Sequence, residues 1–193
     1  DAKEGTLRTE GLRGAVELLA QAGLVQIHGD GEDAIYGVPD ERRMGLDYYK
    51  NGLLHFFVSE ALVATALLAP PSGPIAHGAL RERVQRLSRL FKFEFMFRAD
   101  APFEVVFDQT LAAMAASGEV ETLGGHVTVV QGDGAERVRL YARLVRNFLE
   151  GYRATASALE ILLKGPLPAR EFGRRALAHA HRLYLSGQVS LRE

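Results

Sequence analysis

The chain has 193 residues, 47% apolar and 24% charged, with a net charge of −1 and neither Cys nor Trp. That is enough chain for a sizeable core in one domain, or in two small ones that share it. The balance excludes a disordered or fibrous chain, and the missing Cys excludes a disulfide scaffold, a thiolate zinc site and a cysteine nucleophile.

Residues 6–23 read as a helix, because Leu12, Val16 and Leu19 recur at helical spacing and Gly23 is a good stop. Two β-prone runs, Leu24–Ile27 and Ala34–Val38, flank a Gly/Asp-rich turn and predict a hairpin. Arg42 to Ala69 reads as one helix or two abutting ones. From Gly78 to about Lys92, Leu80, Val84, Leu87 and Phe91 share one helix face while Arg81, Arg86 and Arg89 lie opposite. Phe91, Phe93, Phe95 and Phe97 then alternate with polar residues and Met96, a strand period through Arg98, although the preceding helix could equally run into it.

Pro102 opens a helix carrying Val106, Leu111 and Met114, and Gly118 closes it. A second hairpin follows, Glu119–Leu123 and His126–Val130 about Gly124-Gly125. Glu136 to Lys164 traces one long helical stripe up to Gly165-Pro166. Arg170–Leu185 is a helix stopped by Gly187, and Gln188–Leu191 begins a strand. The three helix ends align: Ala22-Gly23-Leu24-Val25, Ser117-Gly118-Glu119-Val120 and Ser186-Gly187-Gln188-Val189. The expected fold is mainly α with small antiparallel hairpins, built from repeated winged-helix-like units of helix, Gly and hairpin. The expected segments are a winged-helix-like unit at 1–40, a helical segment at 41–98, a second helix–hairpin unit at 99–135, and a long helix with a partial third unit at 136–193.

The most apolar window, Leu53 to Ala69, carries Glu60 near its centre and ends at Pro70-Pro71, which suits a buried helix better than a bilayer span. His28 and Asp33 have the H-x-x-x-x-D spacing of acyltransferases, but they straddle a turn that builds no pocket. His179 and His181, two apart on a helix, point to different sides and cannot share a metal. The helix from Pro102 to Ser117 contains no Lys or Arg, so nucleic acid is not an expected partner.

The most informative run is Arg42-Arg43-Met44-Gly45-Leu46-Asp47-Tyr48-Tyr49-Lys50-Asn51-Gly52-Leu53-Leu54-His55-Phe56-Phe57. Tyr48, Tyr49, Asn51 and His55 set four hydrogen-bonding groups beside apolar neighbours, with Asn51 and His55 one turn apart. The run resembles the Tyr-Tyr-Lys/Arg-Asn-Asn-x-Leu-His-x-Phe signature of the large, membrane-associated glycerol-3-phosphate 1-O-acyltransferases. Glu94–Arg98, Asn147–Tyr152 and the closing helix–Gly junction are similar to that family too, so the likeness spans roughly residues 10–193. Gly52 departs from it, since the family usually has a second Asn there.

The resemblance implies the C-terminal region of an enzyme that moves an acyl group from acyl-CoA or acyl carrier protein to the sn-1 hydroxyl of glycerol 3-phosphate. It implies the cytoplasmic face of a bacterial inner membrane, and a catalytic domain upstream of Asp1. The start without Met agrees with a piece of a longer protein. The catalytic motif of the family has no counterpart here, so no catalytic, metal-binding or cofactor-binding residue is carried over. Tyr48, Tyr49, Lys50, Asn51 and His55 are instead candidates for docking against the catalytic domain.

Charge supplies the second set of candidates. Stretches 81–98, 136–153 and 164–182 hold six, five and five Lys/Arg against two, two and one acids. Arg81, Arg86, Arg89, Arg174 and Arg175 are candidate contacts for an anionic membrane or an acidic acyl carrier protein. The alternative reading is a winged-helix-like module that binds protein or, less suitably, DNA.

Overall fold

The computed structural model describes residues 9–29, 31–95 and 101–190, apart from the side chains at 9–12, 32, 47 and 51. The chain forms two compact units, Asp1–Phe57 and Val58–Glu193. It is mainly helical with two small antiparallel sheets, as the sequence predicts.

The first unit runs α1 (Thr9–Gln21), β1 (Gln26–His28), a 3-10 turn at Gly31–Asp33, β2 (Ile35–Gly37) and α2 (Asp40–Leu54). β1 and β2 pair antiparallel, with Ile27 opposite Tyr36. α2 starts after Pro39, whose backbone is extended at φ −57° and ψ 139°. Asp40 and Glu41 in its first turn meet the positive end of the helix dipole.

The second unit runs α3 (Val58–Leu68), β3 (Ile75–Ala76), α4 (His77–Leu90), α5 (Phe103–Ala116), β4 (Val120–Leu123), β5 (His126–Val129), α6 (Asp133–Leu144), α7 (Arg146–Ala158), a 3-10 segment Leu159–Lys164 and α8 (Ala169–Leu185). Its sheet has the order β3-β5-β4, with both pairings antiparallel. From α3 to β5 this is the connectivity of a winged helix, with Gly124-Gly125 at the tip of the wing. α3 is the hub: it packs on α4, α5 and α6 and buries Ala61, Leu62, Val63, Ala64, Ala66 and Leu67. Such an all-round apolar helix belongs inside a domain. Among the described residues, no single helix is long and apolar enough to cross a membrane.

The three aligned junctions are one structure repeated. Gly23, Gly118 and Gly187 have φ of 67°, 70° and 71°, the left-handed conformation that glycine adopts without strain. Each glycine N–H donates three residues back, to Ala20, Ala115 and Tyr184, at 2.9–3.0 Å. The following N–H reaches five back, from Leu24 to Leu19, Glu119 to Met114 and Gln188 to Leu183, each at 2.9 Å. Both bonds together make a Schellman cap at all three helix ends.

Beyond the caps the copies diverge. In the second, the Glu119 carbonyl accepts a bond from Val130 N–H at 3.0 Å, and the hairpin follows. In the third, no ladder forms among the described residues, which corrects the expected strand at Gln188–Ser190; Leu191 lies outside them. Side chains of α7 satisfy this segment instead. Arg153 Nη1 donates to the Gln188 carbonyl at 3.0 Å, and the Ser190 N–H and Oγ donate to the two carboxylate oxygens of Glu150 at 3.0 and 2.8 Å. Val189 seats on Ala154 and Leu183.

Two other expectations are corrected and a third is narrowed. The stripe 136–164 is α6, α7 and a 3-10 segment rather than one helix, broken at Val145, whose φ of −107° and ψ of 6° leave the helical region. Arg42–Ala69 takes the second of its two expected forms, a pair of helices, α2 and α3. Phe91–Phe95 is a tight turn rather than a strand: Phe95 N–H bonds to the Phe91 carbonyl at 3.0 Å, so the two rings fall on one side. Both are buried with Phe148 and Tyr152 while Phe93 faces solvent; Met96, Phe97 and Arg98 lie outside the described residues.

Candidate functional site

α2 presents a broad apolar face to solvent. Tyr48 is 77% exposed, Tyr49 65%, Leu53 59% and Phe56, just past the helix, 76%. The two tyrosine rings meet edge to face, 5.9 Å apart. Tyr48, Tyr49, Gly52, Leu53 and His55 line one open concavity of about 570 Å³. His55 keeps helical dihedrals (φ −56°, ψ −27°), so the i, i+4 relation with Asn51 holds along the backbone, while the Asn51 side chain lies outside the described residues. Lys50 is half-buried. Nothing lies within 4 Å of a Cβ built on Gly52, so the concavity has room for a side chain there. Exposed aromatic rings with polar tips are a composition that protein interfaces favour and monomer surfaces do not.

The basic candidates separate by what they touch. Arg81, Arg89 and Arg174 are exposed and make no ion pair among the described residues. Arg86 pairs with Glu82 at 3.5 Å, and Arg175 with Glu171, each one turn away on its own helix. Other arginines of the same stretches close the fold. Arg83 Nη1 donates to the Ala66 and Ala69 carbonyls at the end of α3, and Arg137 Nη2 to the Ser117 carbonyl at the end of α5.

Sequence reasoning missed two polar clusters, one buried and one half-buried. Glu119, 3% exposed at the start of β4, receives Arg137 Nε at 3.3 Å and Tyr141 Oη at 3.4 Å. Burial pushes its carboxyl above the usual carboxylate range, against the opposing pull of Arg137, and burial raises Glu60 as well. The second cluster is Ser157 Oγ, 2.9 Å from His179 Nε2 between α7 and α8. Arg182 Nη2 lies 3.4 Å from His179 Nδ1 and can only donate. His179 Nδ1 therefore holds the lone pair and Nε2 the proton, which Ser157 accepts while its own O–H goes to the Ala154 carbonyl at 3.0 Å. This is the reverse of the polarity that activates a serine. His77, expected in a loop, instead opens α4, with its ring against Phe107 and 3.4 Å from Asp108. His28 and Asp33 are both exposed on either side of the turn.

The profile of the glycerol-3-phosphate acyltransferase C-terminal region matches residues 2–193. Curated proteins of Mycobacterium tuberculosis and Mycobacterium bovis that carry an acyltransferase name, plsB1, are 24% identical over 152 residues. That alignment covers 77% of this chain and 24% of each relative, so the chain spans about a quarter of their length. No solved structure gives a significant match. With the profile matched from end to end, the chain belongs to the family of glycerol-3-phosphate acyltransferase C-terminal regions.

Proposed function

We propose that this chain is the non-catalytic C-terminal region of a glycerol-3-phosphate 1-O-acyltransferase and that α2 is its docking face for the catalytic domain. The enzyme takes its acyl group from acyl-CoA or acyl carrier protein, delivers it to the sn-1 hydroxyl, and works at the cytoplasmic face of a bacterial inner membrane. The exposure of Tyr48, Tyr49, Leu53 and Phe56 carries the docking reading, since a chain with no partner gains nothing by leaving these rings in water. The polarity of the Ser157–His179 contact supports a non-catalytic role for this region. The paired test is Tyr48→Ser with Tyr49→Ser in the 193-residue chain and in the longer enzyme. The chain alone should keep its stability to within about 0.5 kcal/mol, because both rings are exposed in it. The longer enzyme should lose stability or about tenfold in turnover, since aromatic anchors commonly carry 2 kcal/mol or more of an interface. Equal losses in both proteins overturn the docking role.

The winged-helix connectivity supports a second reading, a protein-binding module. α5 stands where DNA readers place their recognition helix, and it carries Glu104 and Asp108 with no Lys or Arg.

A further inference from the structure

Among the described helices that carry the basic stretches, α8 alone joins exposed cations to two strongly exposed leucines. Arg170, Arg174, Leu177, His181 and Leu185 recur at i, i+4, i+7, i+11 and i+15, and all five are exposed. They form a single stripe along the helix. Leu177 is 71% and Leu185 70% exposed, and eight residues set them about 12 Å apart along the axis. The opposite face is the packed one: Leu183 is buried, and His179 bonds Ser157 of α7. Glu171, the single acid of α8, is paired with Arg175.

The geometry points to the outward face of α8 as a lipid-contact surface that lies flat on an anionic bilayer. Its leucines enter the boundary of the acyl chains, and Arg170 and Arg174 meet phosphate headgroups. A helix with a basic polar edge and protruding apolar side chains binds such an interface through both terms together. The stripe runs in a line along one helix, which suits a planar surface, whereas a protein partner anchors its hot spots in pockets. α4 is the internal control. It is equally basic, but along the helix itself its exposed face offers only Leu90, 41% exposed, and Arg86 is paired with Glu82; the exposed ring of Phe93 lies past the helix end under Lys92.

This assignment concerns partition onto lipid rather than acyl transfer, so it stands or falls separately from the proposed reaction. The test is flotation of the 193-residue chain with vesicles of phosphatidylglycerol and of phosphatidylcholine. The expected result is binding to phosphatidylglycerol that weakens with salt, and little to phosphatidylcholine. Arg170→Gln with Arg174→Gln should cut it about tenfold or more. Leu177→Ser with Leu185→Ser should cut it about tenfold at unchanged charge. Arg81→Gln with Arg89→Gln on α4 should change it less than about threefold. All six positions are exposed, and thermal melting checks that each variant is folded. Equal binding to both lipids, indifference to the leucine pair, or an equal loss from the α4 pair overturns the assignment. So does capture of acyl carrier protein by a chain that binds neither vesicle.

Discussion

A Cβ built on Gly134 would sit 2.6 Å from the carbonyl oxygen of Gly118, closer than any real side chain approaches a backbone oxygen. The first turn of α6 therefore rests directly on the glycine cap that ends α5. Gly134→Ala should destabilise the chain by about 1–3 kcal/mol, because neither backbone can step aside. Gly151→Ala on α7 is the contrast. Nothing lies within 4 Å of its Cβ, so it should stabilise by about 0.5–1 kcal/mol through helix propensity alone. Chemical denaturation of both variants checks the opposite signs.

The shared Schellman cap predicts a shared cost. At φ of 70° and 71°, alanine at Gly118 or Gly187 places its Cβ against its own backbone, at roughly 1–2 kcal/mol. Asn, which tolerates the left-handed region better, should lose less at both sites. Comparing Ala and Asn variants by thermal melting separates this backbone term from any effect of side-chain size.

The repeat was legible in sequence because its signal is local: a helix period, a Gly stop, and a Val two residues on. The α2 segment stood out for the same reason, four polar groups set beside apolar ones, but the exposure of Tyr48 and Tyr49 is seen only in the structure. What failed was long-range. β3 is two residues, too short to carry any alternation, and only its pairing with β5 completes the winged unit. Phe91 and Phe95 fit a strand period and a helical turn equally well, and burial against Phe148 decided between them. The excess arginine in the basic stretches read as a uniform surface, yet Arg83, Arg137 and Arg153 end on backbone carbonyls of distant elements. No spacing rule marks a contact between residues 35 positions apart.

Arg153 does for the Gln188 carbonyl what the Val130 N–H, just past β5, does for that of Glu119. Arg153→Ala hands the exposed Gln188 carbonyl to water and should cost about 0.5–1.5 kcal/mol, the net worth of one hydrogen bond. Glu150→Gln weakens the bonds to Ser190 and the 2.8 Å pair with Arg146. Hydrogen exchange should show the amides of Val189 and Ser190 opening first in both variants, while α3 stays protected. Unchanged exchange at these amides would show that Val189 packing alone holds the segment.

Glu119 gives the fold a pH dependence of known sign. Burial raises its native carboxyl above the unfolded value of 4.5, and burial raises Glu60 likewise. Below 4.5 both states are protonated and the native form has no penalty. As pH climbs from there through the raised native values, the unfolded chain ionises freely while the folded chain resists, so stability falls across that window. Glu119→Gln keeps a hydrogen-bonding side chain for Tyr141 and should flatten part of this slope, with Glu60 supplying the rest. Denaturation midpoints measured from pH 4 to pH 8 check it. A wild-type midpoint that rises through the window contradicts the assignment.

Ser157 and His179 lie at the distance of a nucleophile and its base, and their proton arrangement decides what they do. Arg182 beside Nδ1 fixes the tautomer in which Nε2 donates, so Ser157 is an acceptor on that side and gives its proton to the Ala154 carbonyl. A serine held this way ties α7 to α8 rather than attacking an ester. Ser157→Ala should leave acyl transfer by the longer enzyme within about twofold while lowering the stability of the 193-residue chain by about 1 kcal/mol, the usual net worth of one hydrogen bond. Ser157→Cys discriminates further. It keeps a weak acceptor for His179 and so should keep part of the stability that Ser157→Ala loses. A loss of acyl transfer of more than about tenfold in the longer enzyme carrying Ser157→Ala, with the 193-residue chain still folded, would show that Ser157 takes part in the reaction, and the linking role given to it here would be wrong.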